Sequence, residues 1–338
     1  MIMADVTRCT EFLESSFLSE LLLEKGLTDI SYNGEALYYS SNRGGRKKWE
    51  KSITPNEIGD FLRQIANFAE QQFSYMRPIM DVSFSRYRLN ATYASITRVK
   101  DEKSYSFSLR IATEGSAVEE NPAFFPEESE ALLLNALNKR ETIVIAGETG
   151  SGKTELQKYL LMRMKPNTRV IVIDNVQELE LCRGNEDIDL TSWHVDEKSQ
   201  EANYSALIRN ALRNHPDYIV LAEARGKEML EAIHCAMSGH PLIITLHASS
   251  LSSIPSRIAR LAMQASDSQR YDDLMSDIRA SFSTFVYLKK TEERGRVRRY
   301  IDQIAAYQGP RRALRVLFKK KANHPNPIME DPACSELS

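Results

Sequence analysis

The chain has 338 residues, enough for roughly two domains of ordinary size, and its 42% apolar and 27% charged residues exclude collagenous, low-complexity and wholly disordered classes. Forty-four basic residues against 46 acidic ones leave a net charge of −2, so no global positive excess points to nucleic acid or anionic lipid as the main partner. Cysteines at 9, 182, 235 and 334 form no CxxC pair, which excludes a disulfide scaffold or zinc framework as an expectation and suits a reducing compartment.

Asp5, Arg8, Glu11 and Glu14 interrupt the first apolar residues, so no secretory signal is read there, and no run approaches the roughly 20 apolar residues of a membrane span. A cytoplasmic protein is expected, touching a membrane only peripherally. From Leu27 to Lys51, β-favouring residues alternate with the turn sequences Asn33-Gly34 and Asn42-Arg43-Gly44-Gly45, as in hairpins. Thr54-Pro55-Asn56-Glu57 is a capping box with proline at the first helical position, and Ile58, Phe61, Leu62, Ile65, Phe68 and Ala69 follow at helical spacing. Val82, Phe84, Tyr87, Leu89, Ala91 and Tyr93 alternate with polar residues apart from one slip in phase; Tyr105, Phe107, Leu109 and Ile111 alternate strictly. Residues 1–113 therefore read as a small α+β domain. Gly115, Pro122, Pro126 and five glutamates mark 114–128 as a linker.

Beyond it the text changes to short apolar runs separated by helical stretches: Thr142–Ala146, Arg169–Ile173, Tyr218–Ala222 and Leu242–Leu246. These are buried strands of a parallel sheet, and the fold class of 129–318 is α/β. Phe282–Leu288, Tyr300–Tyr307 and Ala313–Phe318 look like further strands; the tail 319–338, rich in proline, is expected to be disordered.

The first of these strands runs directly into Gly147-Glu148-Thr149-Gly150-Ser151-Gly152-Lys153-Thr154, and a helical pattern follows. This is GxxxxGKT in its strand–loop–helix context: glycines let the backbone N–H groups surround a β-phosphate, Lys153 reaches the β- and γ-phosphates, and the Thr154 hydroxyl ligates Mg²⁺. ATP and Mg²⁺ are the expected ligands. An [NT]KxD base-reading motif is absent, which disfavours a GTPase. Two later strands end in acid, at Asp174 with Glu178 just beyond and at Glu223; ligands in doubly wound sheets lie at the carboxyl ends of strands, so these carboxylates should converge on the phosphates. One would hold a Mg²⁺-bound water, and another would orient or deprotonate the attacking water. His247 ends the last apolar run as a polar group able to touch a γ-phosphate, and His240 precedes that run.

Taken together, GETGSGKT (147–154), RVIVIDNVQEL (169–179), LRNHPDYIVLAEARG (212–226) and SGHPLIITLHA (238–248) resemble the motor ATPases of type II and type IV secretion, type IV pili and conjugation, the PilT-like traffic ATPases. Leu27-Thr-Asp-Ile and Arg86-Tyr-Arg-Leu-Asn-Ala resemble that family's N-terminal strands. The resemblance implies a PAS-like N-terminal domain, a RecA-like P-loop ATPase domain, ATP held between them, and a homohexameric ring working on inner-membrane secretion-apparatus proteins. It matches Glu178 to the catalytic glutamate of the aspartate box, Glu223 to the Walker B glutamate, His240 and His247 to the histidine box, and Arg88 and Arg110 to arginines that reach the phosphates. Arg88 and Arg110 also fall on the polar faces of their strands; Arg98 is a third candidate. Whether Glu178 or Glu223 polarises the water stays open.

Three departures refine the resemblance. Asn175 stands where the aspartate box usually has an aspartate, no tetracysteine module occurs, and no AIRNLI-like helix follows residue 250. The chain is thus similar to the type IVB secretion and plasmid-conjugation (DotB/TraJ-like) branch, with a pilus motor as the alternative. A RecA-like nucleic-acid translocase is a further alternative, on the basic runs Arg294–Arg299 and Arg311–Lys321, although no aromatic stacking platform accompanies them and nucleic acid is not expected as a direct ligand. A nucleotide-regulated scaffold with little hydrolysis is a third.

Overall fold

The computed structural model describes residues 6–321 apart from 43–44, 113–114, 120, 176–178, 180–186, 198, 267, 294–295 and 309–312. Two helices open it, α1 (Val6–Glu14) and α2 (Ser19–Leu22), followed by β1 (Leu27–Tyr32), β2 (Leu37–Ser41), β3 (Lys47–Lys48), α3 (Pro55–Phe68), β4 (Ile79–Phe84), β5 (Tyr87–Thr92), the short β6 (Arg98–Val99) and β7 (Glu102–Lys103), and β8 (Ser106–Ile111). Helix α3 begins where the capping box places it: Thr54 Oγ1 accepts the Glu57 amide at 3.3 Å and a Glu57 carboxylate oxygen accepts the Thr54 amide at 2.8 Å. The slip in phase is the turn between β4 and β5, with Ser85 in left-handed backbone. The strands form one antiparallel sheet in the order β3-β2-β1-β8-β5-β4. Strict alternation turns Phe107 and Leu109 onto Phe61, Leu62 and Ile65 of α3, and leaves Ser108 and Arg110 on the opposite face. Each such buried leucine or phenylalanine contributes about 1.5–3 kcal/mol, so this sheet owns a core.

The segment expected as a linker is packed where it is described. Its mean composition hides two apolar anchors: Val118 and Phe124 are buried, the latter in a 3-10 turn (Pro122–Phe124). Ser116 Oγ donates to the Glu155 carbonyl at 2.8 Å, and the Ala117 amide donates to the Glu155 carboxylate at 2.7 Å.

The second sheet is built from α4 (Ser129–Asn138), β9 (Ile143–Gly147), α5 (Lys153–Met162), β10 (Arg169–Asp174), β11 (Asp189–His194), α6 (Tyr204–Ala211), β12 (Tyr218–Leu221), α7 (Glu228–Met237), β13 (Leu242–Leu246), α8 (Ile254–Ala262), α9 (Tyr271–Ser281), β14 (Thr284–Glu293), β15 (Arg296–Gln308) and β16 (Ala313–Lys319). The order is β11-β10-β12-β13-β9-β14-β15-β16, parallel from β11 to β14 and antiparallel beyond. Alternate residues of each central strand serve opposite faces: Val170, Val220 and Ile243 pack with Leu156 and Leu160 of α5, whereas Ile171, Ile219 and Ile244 pack with Ile208, Ile233, Ile258 and Ile278 of α6–α9. Helices therefore cover both faces, the doubly wound α/β arrangement that the apolar runs predict.

Two elements depart from the sequence reading. Strand β11, Asp-Leu-Thr-Ser-Trp-His, has no apolar run because it is an edge strand paired only with β10. Strand β15 begins earlier than Tyr300, because Arg296–Arg299 pair with Lys290–Glu293 of β14. The described part of the basic run 294–299 is thus sheet. Strand β16 runs to Lys319, and residues 322–338 of the expected tail lie outside the described residues. Among the described residues no helix is long and apolar enough to cross a membrane.

Candidate nucleotide site

Parallel strands deliver their last residues to one edge of the sheet, and there the chain places Gly147 at the end of β9, Asp174 at the end of β10, Glu223 beyond β12 and His247 beyond β13. Between β9 and α5 the loop 147–152 closes tightly. A Cβ on Gly147 would lie 2.7 Å from the Leu288 carbonyl of the neighbouring strand, so no larger residue fits. Gly152 has φ +97° and a Cβ there would meet Phe124 at 3.1 Å. Glu148, Thr149 and Gly150 form an exposed lip, while Ser151 is fully buried and its Oγ has no hydrogen-bond partner among the described residues. Helix α5 starts at Lys153, aiming the unsatisfied N–H groups of its first turn into the same hollow. A buried hydroxyl without a partner among the described residues, beside a helix N-terminus, fits a phosphate chain.

Lys153 Nζ folds back on the loop, donating to the Gly147 carbonyl at 3.2 Å and the Glu148 carbonyl at 3.0 Å, and lies 3.5 Å from His247 Nδ1. Burial pushes its pKa down to about 8, with Glu223 pulling it up and Arg225 pushing it further down. His247 Nε2 is 3.0 Å from one oxygen of Glu223, whose other oxygen is 2.6 Å from Arg225 Nη2. The result is a continuous row, Lys153–His247–Glu223–Arg225. Burial raises the Glu223 carboxyl, but the Arg225 hydrogen bond and the charges of Arg225, His247 and Lys153 outweigh it, holding Glu223 below the usual range.

The row is fixed from beneath. Gln157 of α5, fully buried, donates to the Leu221 carbonyl at 2.8 Å, and Thr245 Oγ1 donates to the Ala222 carbonyl. The Ala224 amide donates to the Thr245 carbonyl at 2.9 Å, and Glu228 Oε1 accepts the Arg225 and Gly226 amides at 2.5 and 2.8 Å. The last polar groups of β12 are therefore spoken for by α5, β13 and α7, leaving Glu223 to the cleft.

Of the residues expected from sequence, the structure gathers Gly147–Thr154, Glu223 and His247; Thr154 is the second residue of α5. Asp174 is buried and its carboxylate accepts the Leu179 amide at 3.4 Å, and Asn175 follows it, half-buried. Glu178 lies outside the described residues. His240 does not reach the loop. It precedes β13, so strand direction puts it at the opposite end from His247, where its Nδ1 lies 3.0 Å from Ser238 Oγ. Arg88 and Arg110 are direct cross-strand neighbours on the polar face of the first sheet, as alternation predicts. Instead of touching the phosphate loop, they pair with Asp81 at 3.0 Å and Asp29 at 3.8 Å. Arg98 sits exposed in the β6–β7 hairpin.

Two further residues belong to the site. Arg225 is legible in hindsight, since in extended chain the residue two after Glu223 faces the same way. Arg299 of β15 is not: it donates from Nε to the Gly150 carbonyl at 2.7 Å and from Nη1 to the Asn42 carbonyl, beyond β2, at 2.9 Å.

The type II/IV secretion system protein family matches residues 103–291, more than half of the chain. An uncharacterized protein of Bacillus anthracis is 28% identical over 88% of this chain and 69% of its own length. The type IV secretion system protein PtlH of Bordetella pertussis is 31% identical over 49% of this chain and 50% of its own, so the match spans about half of that relative. Among solved structures, the Legionella pneumophila ATPase DotB shares the fold, with a TM-score of 0.63 at 19% identity over 91% of this chain and 83% of its own. A RecA-like P-loop fold, a phosphate loop facing a carboxylate and a histidine, and the family match agree: the chain belongs to the type II/IV secretion-system family of ATP-hydrolysing traffic enzymes.

Proposed function

We propose that this protein is the motor subunit of a bacterial type IV secretion or conjugation machine, of the IVB branch, working as a homohexamer on inner-membrane apparatus proteins from the cytoplasmic side. In this reading residues 1–113 are a PAS-like domain, 114–128 the hinge and 129–318 the ATPase domain. The observation that carries it is the row Lys153–His247–Glu223–Arg225 beside an N-terminal helix end. PtlH, named as a type IV secretion system protein, supports the type IV reading, and the lack of a tetracysteine module in the sequence argues against a type II assembly motor.

The hollow of Gly147–Thr154 holds the triphosphate, and Lys153 exchanges the neutral loop carbonyls for phosphate oxygens. Thr154, in the first turn of α5, would hold Mg²⁺, which would supply charge neutralisation on the phosphates. Both oxygens of Glu223 are engaged and its carboxyl is held acidic, so it serves as an orienting acceptor through His247. In this reading, polarising the attacking water falls to Glu178, which the resemblance matches to the catalytic glutamate of the family's aspartate box. Arg88 and Arg110 close on the phosphates when the first sheet moves, exchanging Asp81 and Asp29 for the nucleotide.

Lys153→Ala tests the site. Phosphate release from ATP falls to background while thermal unfolding stays within a few degrees; unchanged turnover refutes the assignment. Of the basic runs that suggested a nucleic-acid translocase, Arg299 is engaged with the phosphate loop.

A further inference from the structure

Arg299 joins two sheets through main-chain atoms alone. Its Nε holds the Gly150 carbonyl and its Nη1 holds the Asn42 carbonyl, so one guanidinium spans the phosphate loop and the end of β2. The aliphatic stem packs over the start of α5, its Cδ within 3.8 Å of where a Gly152 Cβ would sit and beside Phe124. Burial lowers the pKa of the guanidinium, while Asp29 of the first sheet and Glu155 of α5 pull it back up. Asp29 is also the partner of Arg110, so two arginines from different sheets face one carboxylate.

The bond to Gly150 matters electrostatically. In a trans peptide the carbonyl and the next amide point opposite ways, and no peptide among the described residues is cis. With its carbonyl drawn to Arg299, the Gly150–Ser151 unit keeps its Ser151 amide inside the turn, 3.2 Å from the Glu148 carbonyl. Rotated the other way, that carbonyl would present its negative end to the phosphates.

We propose that Arg299 is a positioning residue that makes the geometry of the phosphate loop conditional on docking of the N-terminal sheet. Docking at Asn42 holds the guanidinium, the guanidinium holds the Gly150 carbonyl out, and the cradle is ready for phosphate. Linkage makes the coupling reciprocal: nucleotide tightens the docking of β2 by the factor by which docking tightens nucleotide. Two separated carbonyls require the fork of an arginine. A lysine keeps the charge, but its N–H groups all leave one nitrogen and cannot reproduce donors held apart at Nε and Nη1 in a rigid plane.

This rests on the nucleotide-site reading, and its test is separable from it. Affinity for the fluorescent nucleotide MANT-ADP and hydrogen exchange of β2, with and without nucleotide, are measured for wild type, Arg299→Gln and Arg299→Lys. The glutamine variant keeps most of the packed aliphatic stem, so the fold is retained. Expected are about ten-fold weaker binding in both variants, the order of one lost charge-assisted hydrogen bond, and loss of the nucleotide-induced protection of residues 37–42. KM for ATP rises more than kcat falls. Wild-type affinity in Arg299→Gln overturns the proposal, as does full rescue by Arg299→Lys, or weaker binding with the protection of β2 intact. A Lys153→Ala variant that still hydrolyses ATP would instead remove the nucleotide-site reading, whatever the Arg299 variants do.

Discussion

The buried ammonium of Lys153 makes nucleotide capture pH-dependent in a definite direction. Burial disfavours its charged form, so the free protein loses this cation as pH rises through about 8 rather than near 10.5. Phosphate binds the protonated form, and at pH 9 about one molecule in eleven still carries it, so kcat/KM for ATP falls about ten-fold between pH 7 and pH 9. The profile of kcat stays flat over the same range, because bound phosphates restore the charge and move the titration out of the window. Stability runs the other way. The folded pKa lies below the unfolded one, so the unfolded chain binds the extra proton between about pH 8 and 10.5, and the Lys153 contribution makes the fold more stable as pH rises through that window. Opposite slopes in affinity and stability from one group are the signature. Stopped-flow MANT-ADP binding and urea unfolding from pH 6.5 to 9.5, for wild type and Lys153→Met, measure both. Neighbouring Glu223 and Arg225 stay charged throughout, the one held acidic and the other raised by its hydrogen bond to Glu223. An affinity limb centred above pH 9.5, or the same limb in Lys153→Met, refutes the reasoning.

Glu223→Gln keeps the shape of the row but removes the charge that Arg225 and His247 share; turnover should fall by about 10²–10³ while MANT-ADP still binds, and equal loss of binding and turnover would count against an orienting role. Gly152→Ala forces a side chain into left-handed backbone against Phe124, so denaturant unfolding should show a loss of about 1–3 kcal/mol together with lost nucleotide binding; an unchanged midpoint would contradict the contact. Cys9 and Cys235 are buried, and burial pushes the Cys235 thiol up to about 12; neither should react with a disulfide reagent at pH 8 until denaturant is added, as peptide mapping of labelled protein will report.

What was legible in the sequence is what depends on short-range order. Ile58, Phe61, Leu62 and Ile65 mark one face of α3, and the fully apolar runs at 143–146, 170–173, 218–221 and 242–246 mark strands covered on both sides. Because a buried parallel strand must deliver its last residue to the ligand edge, Lys153, Glu223 and His247 could be read as neighbours from their places after such runs. His240 fails by the same rule, standing before its strand instead of after it. Strand β11 escaped because an edge strand needs no apolar period, and Val118 and Phe124 were hidden among the glutamates around them. Arg299 stood in a basic run that suggested nucleic acid, and nothing local pointed it to the phosphate loop. Its role follows from the β14–β15 register and from the approach of Asn42, more than 250 residues away in the chain.

The two cations on the phosphate loop show why residue type decides role. Lys153 rests on two neutral carbonyls and lies against an imidazole through a flexible stem. Neutral acceptors hold an ammonium weakly compared with a phosphate oxygen, so an arriving triphosphate draws Lys153 away from them. Arg299 also rests on two carbonyls, but they belong to different sheets, its fork meets both at once, and Asp29 adds a fixed negative charge nearby. Releasing it for phosphate would sacrifice both bonds for a single contact. The lysine therefore moves with the ligand, while the arginine stays with the frame. A loop built to change its occupant needs one cation of each kind, and the antiparallel part of the sheet supplies the second from outside the phosphate-binding motif.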